Sequence, residues 1–246
     1  MSAAQTQAAA DAAETPPALS IEALTFCWPG ADTPIVSIEQ FSLSAGERVF
    51  MAGPSGSGKS TLLGLIAGTL KPQQGRIAIA GIDSAGLSQR RRDRLRADHI
   101  GVVFQQFNLL PFLSALDNVL LVARFSKRRA ARAAARDGSV QAQAQRLLKS
   151  LGLDGELIQR AAANLSVGQQ QRVAAARALL GAPELVLADE PTSALDTELR
   201  RDFIDLLLAE SAAAGSALLF VSHDRGLEPL FDRSVDLLTL QNGARP

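Results

Sequence analysis

The 246-residue sequence predicts an α/β fold: a mainly parallel sheet covered by helices, an antiparallel β subdomain at the N-terminal end, and an inserted α-helical subdomain. Three observations carry this expectation. Short apolar runs that read as buried strands mostly alternate with stretches of helical spacing. Two strand-like runs near the N-terminus follow each other with no helix between them. From about 107 to 164 the spacing is helical and no strand interrupts it.

Taken in order, residues 1–18 ("MSAAQTQAAADAAETPPA") lack a basic start and an unbroken apolar stretch. They predict a disordered tail rather than a signal peptide, with one folded unit over 19–246. "LSIEALTF" (19–26) and "IVSIEQFSLSAG" (35–46) are the two N-terminal strands. "ERVFMAG" (47–53), "RIAIA" (76–80), "IGVVFQ" (100–105), "ELVLAD" (184–189) and "ALLFVS" (217–222) are the apolar runs. "SALDNVLLVARF" and "SVQAQAQRLLKSLGL" supply the helices of the insert. "KRRAARAAARDG" (127–138) between them reads equally as helix or loop. Two basic clusters, 90–96 and 124–136, are solvated helix faces or contacts for an acidic partner or a phospholipid surface.

Composition narrows the class. Apolar residues make up 47% and formal net charge is zero, so there is material for a core and no global positive field pointing to nucleic acid. The single cysteine, Cys27, excludes an intrachain disulfide framework and suits a reducing compartment. No apolar stretch approaches the roughly 20 residues needed to span a bilayer.

Residues 53–61, "GPSGSGKST", fit G-x-x-x-x-G-K-[ST] between a strand and a helix, the context that motif requires. The loop runs through Gly53, Pro54, Ser55, Gly56, Ser57 and Gly58 to Lys59, Ser60 and Thr61. Gly56 and Gly58 let backbone N–H groups wrap phosphate oxygens, Lys59 supplies a point charge to the β- and γ-phosphates, and Ser60 offers a hydroxyl to Mg²⁺. The chain is therefore expected to be a P-loop NTPase that binds a nucleoside triphosphate. "ELVLADEP" ends a strand in two carboxylates. Asp189 is placed to hold a Mg²⁺ water and Glu190 to orient and deprotonate an attacking water.

"NLSVGQQQR" (164–172) has two compatible readings. Ser166 as N-cap with Gln169 three residues on makes a capping box. The same helix start presents N–H groups to a phosphate.

These pieces, in this order, resemble the ATP-binding cassette ATPases over nearly all of residues 19–246. "LSVGQQQRVAAARALL" is similar to that family's signature and is followed by "LVLADEPTSALD". The resemblance implies a RecA-like core that binds ATP and Mg²⁺. It also implies a homodimer, with Ser166, Gly168 and Gln169 of one copy meeting the nucleotide held by a second copy. Gln105 in "VVFQQF" would sense Mg²⁺ and the γ-phosphate and connect to the transporter subunit. Asp196 would lie in the loop that crosses between subunits, and His223 in "FVSHD" would contact the γ-phosphate. Trp28 in "CWPG" would stack on adenine, with Phe26 as the alternative. His99 sits in no motif and is read as structural. One position departs from the family pattern: Val167 stands where the signature has the first of two glycines. At the first helical position valine is sterically allowed.

"IGVVFQQFNLLPFLSALDNV" resembles the branch of macrolide-efflux, lipoprotein-releasing and cell-division cassette ATPases, although "LIQRAAANLS" departs from that branch. The resemblance implies integral-membrane permease subunits as partners, a peripheral position on the cytoplasmic face of the plasma membrane, and work by mechanotransmission. An importer ATPase is the alternative within transport. A soluble cassette protein acting on DNA or ribosomes ranks last, because one cassette with zero net charge fits it poorly, so no nucleic-acid partner is expected.

Overall fold

The computed structural model describes residues 16–193 and 197–241; residues 1–15 of the tail expected at 1–18, and Asp196, lie outside the described residues. The strands are β1 (Leu19–Phe26), β2 (Val36–Leu43), β3 (Arg48–Ala52), β4 (Gln74–Ile79), β5 (Ile82–Asp83), β6 (Ile100–Val103), β7 (Leu185–Asp189), β8 (Ala217–Ser222) and β9 (Arg233–Asp236). The helices are α1 (Lys59–Ile66), α2 (Gln89–His99), α3 (Ala115–Phe125), α4 (Lys127–Asp137), α5 (Val140–Ser150), α6 (Val167–Leu179), α7 (Thr197–Ala214) and the short α8 (Leu237–Gln241).

Five strands form a sheet in the order β6-β7-β8-β3-β9, with every pairing parallel. The continuous apolar runs of β3, β6, β7 and β8 follow from burial on both faces, whereas β9 at the edge buries only Val235. Along β3, Phe50 and Ala52 point into one core while Val49 and Met51 point into the other. The first core joins the sheet to α3 through α7 and contains the clustered rings of Phe50, Phe220 and Phe231. The second joins it to α1 and to the N-terminal sheet.

That N-terminal sheet has the order β2-β1-β4-β5 and is antiparallel throughout. The run at 76–80 belongs here as β4, paired with β1, rather than in the parallel sheet. Ala18, assigned to the tail by sequence, is buried, and its carbonyl accepts the Ala80 N–H at 3.1 Å, so ordered packing begins before β1.

The ambiguous stretch at 127–138 is helical. Ser126 caps α4 by accepting the Arg129 N–H, and Gly138 closes it at φ 81°. Its basic residues are largely engaged within the chain. Arg129 is 3% exposed, and its guanidinium donates to the carbonyls of Leu180 at 2.6 Å, Ile100 at 3.3 Å and Ala178. Burial, together with the charge of Arg132, pushes its pKa down to about 9. Arg128 and Arg132 both reach Glu184 Oε1 at 2.6 Å, and His99 Nδ1 lies 3.0 Å from Glu184 Oε2. His99 is thus one arm of a charge cluster tying α2 and α4 to the turn before β7.

Candidate nucleotide site

The parallel strands deliver their C-terminal ends to one edge, where an open α/β sheet gathers ligand-binding loops. There a cleft of about 670 Å³ is lined by Trp28, Ser55, Gly56, Gly58, Lys59, Ser60, Thr61, Gln105, Asp189, Glu190 and His223, together with Ile35 and Ser193.

The loop after β3 bends through Gly56 at φ 80° and Gly58 at φ 95°, backbone that suits glycine. A Cβ on Gly58 would stand 2.6 Å from the Ile35 carbonyl oxygen, so the loop also sits against the N-terminal sheet with no room for a side chain. Gly58 is the N-cap of α1, offers no side-chain cap, and has no acidic residue following it in the first turn. The first N–H groups of α1 therefore suit an anionic ligand. Lys59 is 9% exposed, and its ammonium donates to Gly53 O at 2.7 Å and Pro54 O at 3.0 Å, 3.8 Å from Glu190 Oε1.

Ser60 Oγ donates to Asp189 Oδ2 at 3.0 Å, while Asp189 Oδ1 is buried with no hydrogen-bond partner. Burial raises the Asp189 pKa, and the neighbouring Glu190 charge adds to the rise. A buried carboxylate with an unpartnered oxygen beside a serine hydroxyl fits a Mg²⁺ ion that takes few protein ligands and completes its shell from water and phosphate. Glu190 follows the end of β7 at φ 45°, strained for a non-glycine residue, and its N–H is held by Val221 O at 2.9 Å. Its Oε2 lies 2.8 Å from His223 Nδ1 and accepts from Ser222 Oγ at 3.4 Å. Parallel pairing of β7 with β8 brings the two residues together across 33 positions of chain.

Trp28 is 47% exposed at the cleft wall. Phe26, the alternative stacking residue, is 5% exposed and meets the Trp28 ring edge-on, with centroids 5.2 Å apart. Ser166, Gly168 and Gln169 do not line this cleft. They form the start of α6, where Ser166 Oγ accepts the Gln169 N–H and Gln169 Oε1 accepts the Ser166 N–H, completing the capping box. The next two glutamines serve other ends. Gln170 donates to Leu165 O at 3.0 Å, and the buried Gln171 donates to Pro191 O, linking α6 to the segment after Glu190. Val167 is 47% exposed at the first helical position.

Fold and cleft together define a nucleotide-binding α/β protein with a phosphate loop. A model of the ABC transporter family matches residues 37–193. The chain is 44% identical over 206 residues to the lipoprotein-releasing system ATP-binding protein LolD of Anaeromyxobacter dehalogenans, covering 84% of this chain and 83% of that one. It is 41% identical over 196 residues to the uncharacterized ABC transporter ATP-binding protein YbbA of Escherichia coli K12, covering 80% and 82%. Among solved structures, the dimeric bacterial ABC transporter cassette MJ0796 superposes with a TM-score of 0.77 at 34% identity, covering 89% of this chain and 93% of that one. The same cassette has also been solved in a post-hydrolysis state bound to ADP and Pi, with the same TM-score and identity. The chain belongs to the ABC transporter family, as its ATP-binding and ATP-hydrolysing cassette.

Proposed function

We propose that two copies of this chain sandwich ATP between the phosphate loop of one and the start of α6 of the other, and that this closure drives a separate permease of the lipoprotein-releasing type. The observation that carries the reading is the separation of the α6 start from the cleft. Lys59, Ser60, Gln105, Asp189, Glu190 and His223 share one cleft, and the capped start of α6 lies outside it. A second copy supplies the missing wall.

In this reading the N–H groups after Gly58 and the Lys59 ammonium bind the β- and γ-phosphates, and Trp28 packs on the adenine. Ser60, Asp189 and Gln105 would hold Mg²⁺, which would neutralise negative charge on the phosphates. Glu190 orients a water and accepts its proton as the water oxygen attacks the γ-phosphorus and the bond to ADP breaks. His223 keeps Nδ1 on Glu190 and leaves its other ring nitrogen for the γ-phosphate. Ser166, Gly168 and Gln169 of the second copy present the α6 start to the same phosphate.

We assign the permease contact to a groove of about 920 Å³ between α2, α3 and the segment after β6. Its apolar lining includes Val102, Val122 and the exposed rings of Phe104 and Phe125, and Arg90, Arg91 and Arg94 contribute a basic rim. This chemistry suits a short amphipathic segment with acidic ends, and Gln105, next in chain to Phe104, connects groove to cleft. The relatives named for lipoprotein release favour extraction over import. Among the described residues no helix is long and apolar enough to cross a membrane, so membrane attachment is assigned to the permease. The test is steady-state hydrolysis: Glu190→Gln is expected to lose at least about 100-fold in rate while still binding ATP. Unchanged hydrolysis would remove Glu190 from its role.

A further inference from the structure

We infer that Gln241, in the short C-terminal helix α8, is a positioning residue for the phosphate loop; the inference rests on the ATP-binding reading above. Strand β9 runs parallel to β3 with Asp236 opposite Ala52, so the chain leaves β9 beside the point where the phosphate loop leaves β3. Asp236 starts α8: its Oδ1 accepts the N–H of Leu238 at 2.9 Å and of Thr239 at 3.3 Å. Leu237 and Leu240 are buried at 0% and 3% exposure and fix the helix against the second core. Gln241 then reaches back 184 residues, and its Nε2 donates to the Ser57 carbonyl at 3.0 Å.

That carbonyl belongs to the peptide joining Ser57 to Gly58. In a trans peptide the C=O and the following N–H point in opposite directions. No peptide among the described residues is cis, so fixing the Ser57 oxygen also fixes the Gly58 N–H. Gly58 lines the cleft and Gln241 does not, so the N–H is directed to the cleft side. A glycine at φ 95° puts little steric barrier in the way of a flip of this peptide plane, which would turn an acceptor toward the phosphates instead of a donor. Ser57 Oγ is itself buried without a partner and does nothing to hold the loop. Lys59 holds the Gly53 and Pro54 carbonyls, which leaves Gln241 as the outside hold on the Ser57 end. Asp236 also pairs with Arg225, two residues beyond His223, so the residue that caps this short helix ties it to the histidine segment.

The test compares two changes at Gln241 in the full chain. Gln241→Glu places an ionised carboxylate, which cannot donate, against the Ser57 carbonyl; Gln241→Lys keeps a donor. Binding is read by fluorescence of Trp28, the single tryptophan and a lining residue of the cleft. Loss of one oriented donor is expected to weaken ATP and ADP alike by about 3- to 30-fold in Gln241→Glu. Gln241→Lys is expected to stay within about 3-fold of the parent, and the Glu variant to melt close to it. Equal affinity of the Glu variant and the parent, or equal losses in both variants, would overturn the assignment. Failure of the parent chain to bind ATP would instead overturn the reading on which it rests.

Discussion

Gly58→Ala tests whether the phosphate loop depends on contact with the N-terminal sheet. Two costs combine at this position. The residue sits at φ 95°, where an L side chain is strained by about 1–2 kcal/mol. The new methyl carbon would also lie 2.6 Å from the Ile35 carbonyl oxygen. That oxygen cannot move freely, because the Ile35 N–H is bonded to Phe26 O at 2.9 Å and β2 begins at the next residue. Overpacking of this kind adds about 1–2 kcal/mol, giving about 2–4 kcal/mol in total. For a chain of this size that lowers the melting temperature by roughly 4–16 °C. Gly56→Ala is the matched control: φ is 80°, but nothing lies within 4 Å of the added carbon. Only the strain remains, about 1–2 kcal/mol. Thermal unfolding of both variants without nucleotide reads the difference directly. Equal melting temperatures, or a Gly58→Ala protein as stable as the parent, would refute the packing argument.

Other outcomes follow from the charge clusters and the signature. Burial raises the Glu184 pKa, but hydrogen bonds from His99 and Arg128 and the Arg132 charge outweigh it and hold the carboxyl at about 2. A depressed folded-state pKa adds stability above the ordinary value of 4.5, lost as pH falls from there toward about 2. Glu184→Gln should therefore cost about 1–2 kcal/mol at pH 7 after solvent screening, and the gap from the parent in denaturant melts should close near pH 2. Asp189 has the opposite sign. Its raised pKa makes the folded protein hold the proton more tightly, so stability declines as pH rises through that range. Asp189→Asn should melt higher than the parent without nucleotide and metal, yet hydrolyse ATP at least about 100-fold more slowly. Val167→Gly, at an exposed first-turn position, should keep or raise ATPase activity, and a collapse would show that the valine is required.

Four of the five parallel strands could be read from the sequence because burial on both faces makes unbroken apolar runs, as in "ALLFVS", whereas the edge strand β9, "RSVD", carries no such run. Pairing partners could not: β4 looks like its neighbours in composition, and only tertiary contact with β1 places it in the antiparallel sheet. Helix α4 stayed ambiguous because its buried face is made of Arg129 and Ala133, and an arginine at a core position masks the apolar stripe. Local motifs led to the cleft residues one by one, since strand–loop–helix context is written in adjacent residues. Contacts between distant positions are not written that way. His99 meets Glu184 across 85 residues and Gln241 meets Ser57 across 184, with no local signal at either end. The positive φ of Glu190 carries no sequence signature either. "NLSVGQQQR" read correctly as a capping box because both of its partners lie within one turn.

The central claim is that ATP binds between two copies. Light scattering on Glu190→Gln protein, with and without ATP and Mg²⁺, tests it most directly, because blocked hydrolysis lets a closed pair accumulate. The expected result is a monomer that becomes a dimer only when both are present. A protein that binds ATP fully at the phosphate loop, yet remains monomeric at every concentration tested, would contradict it.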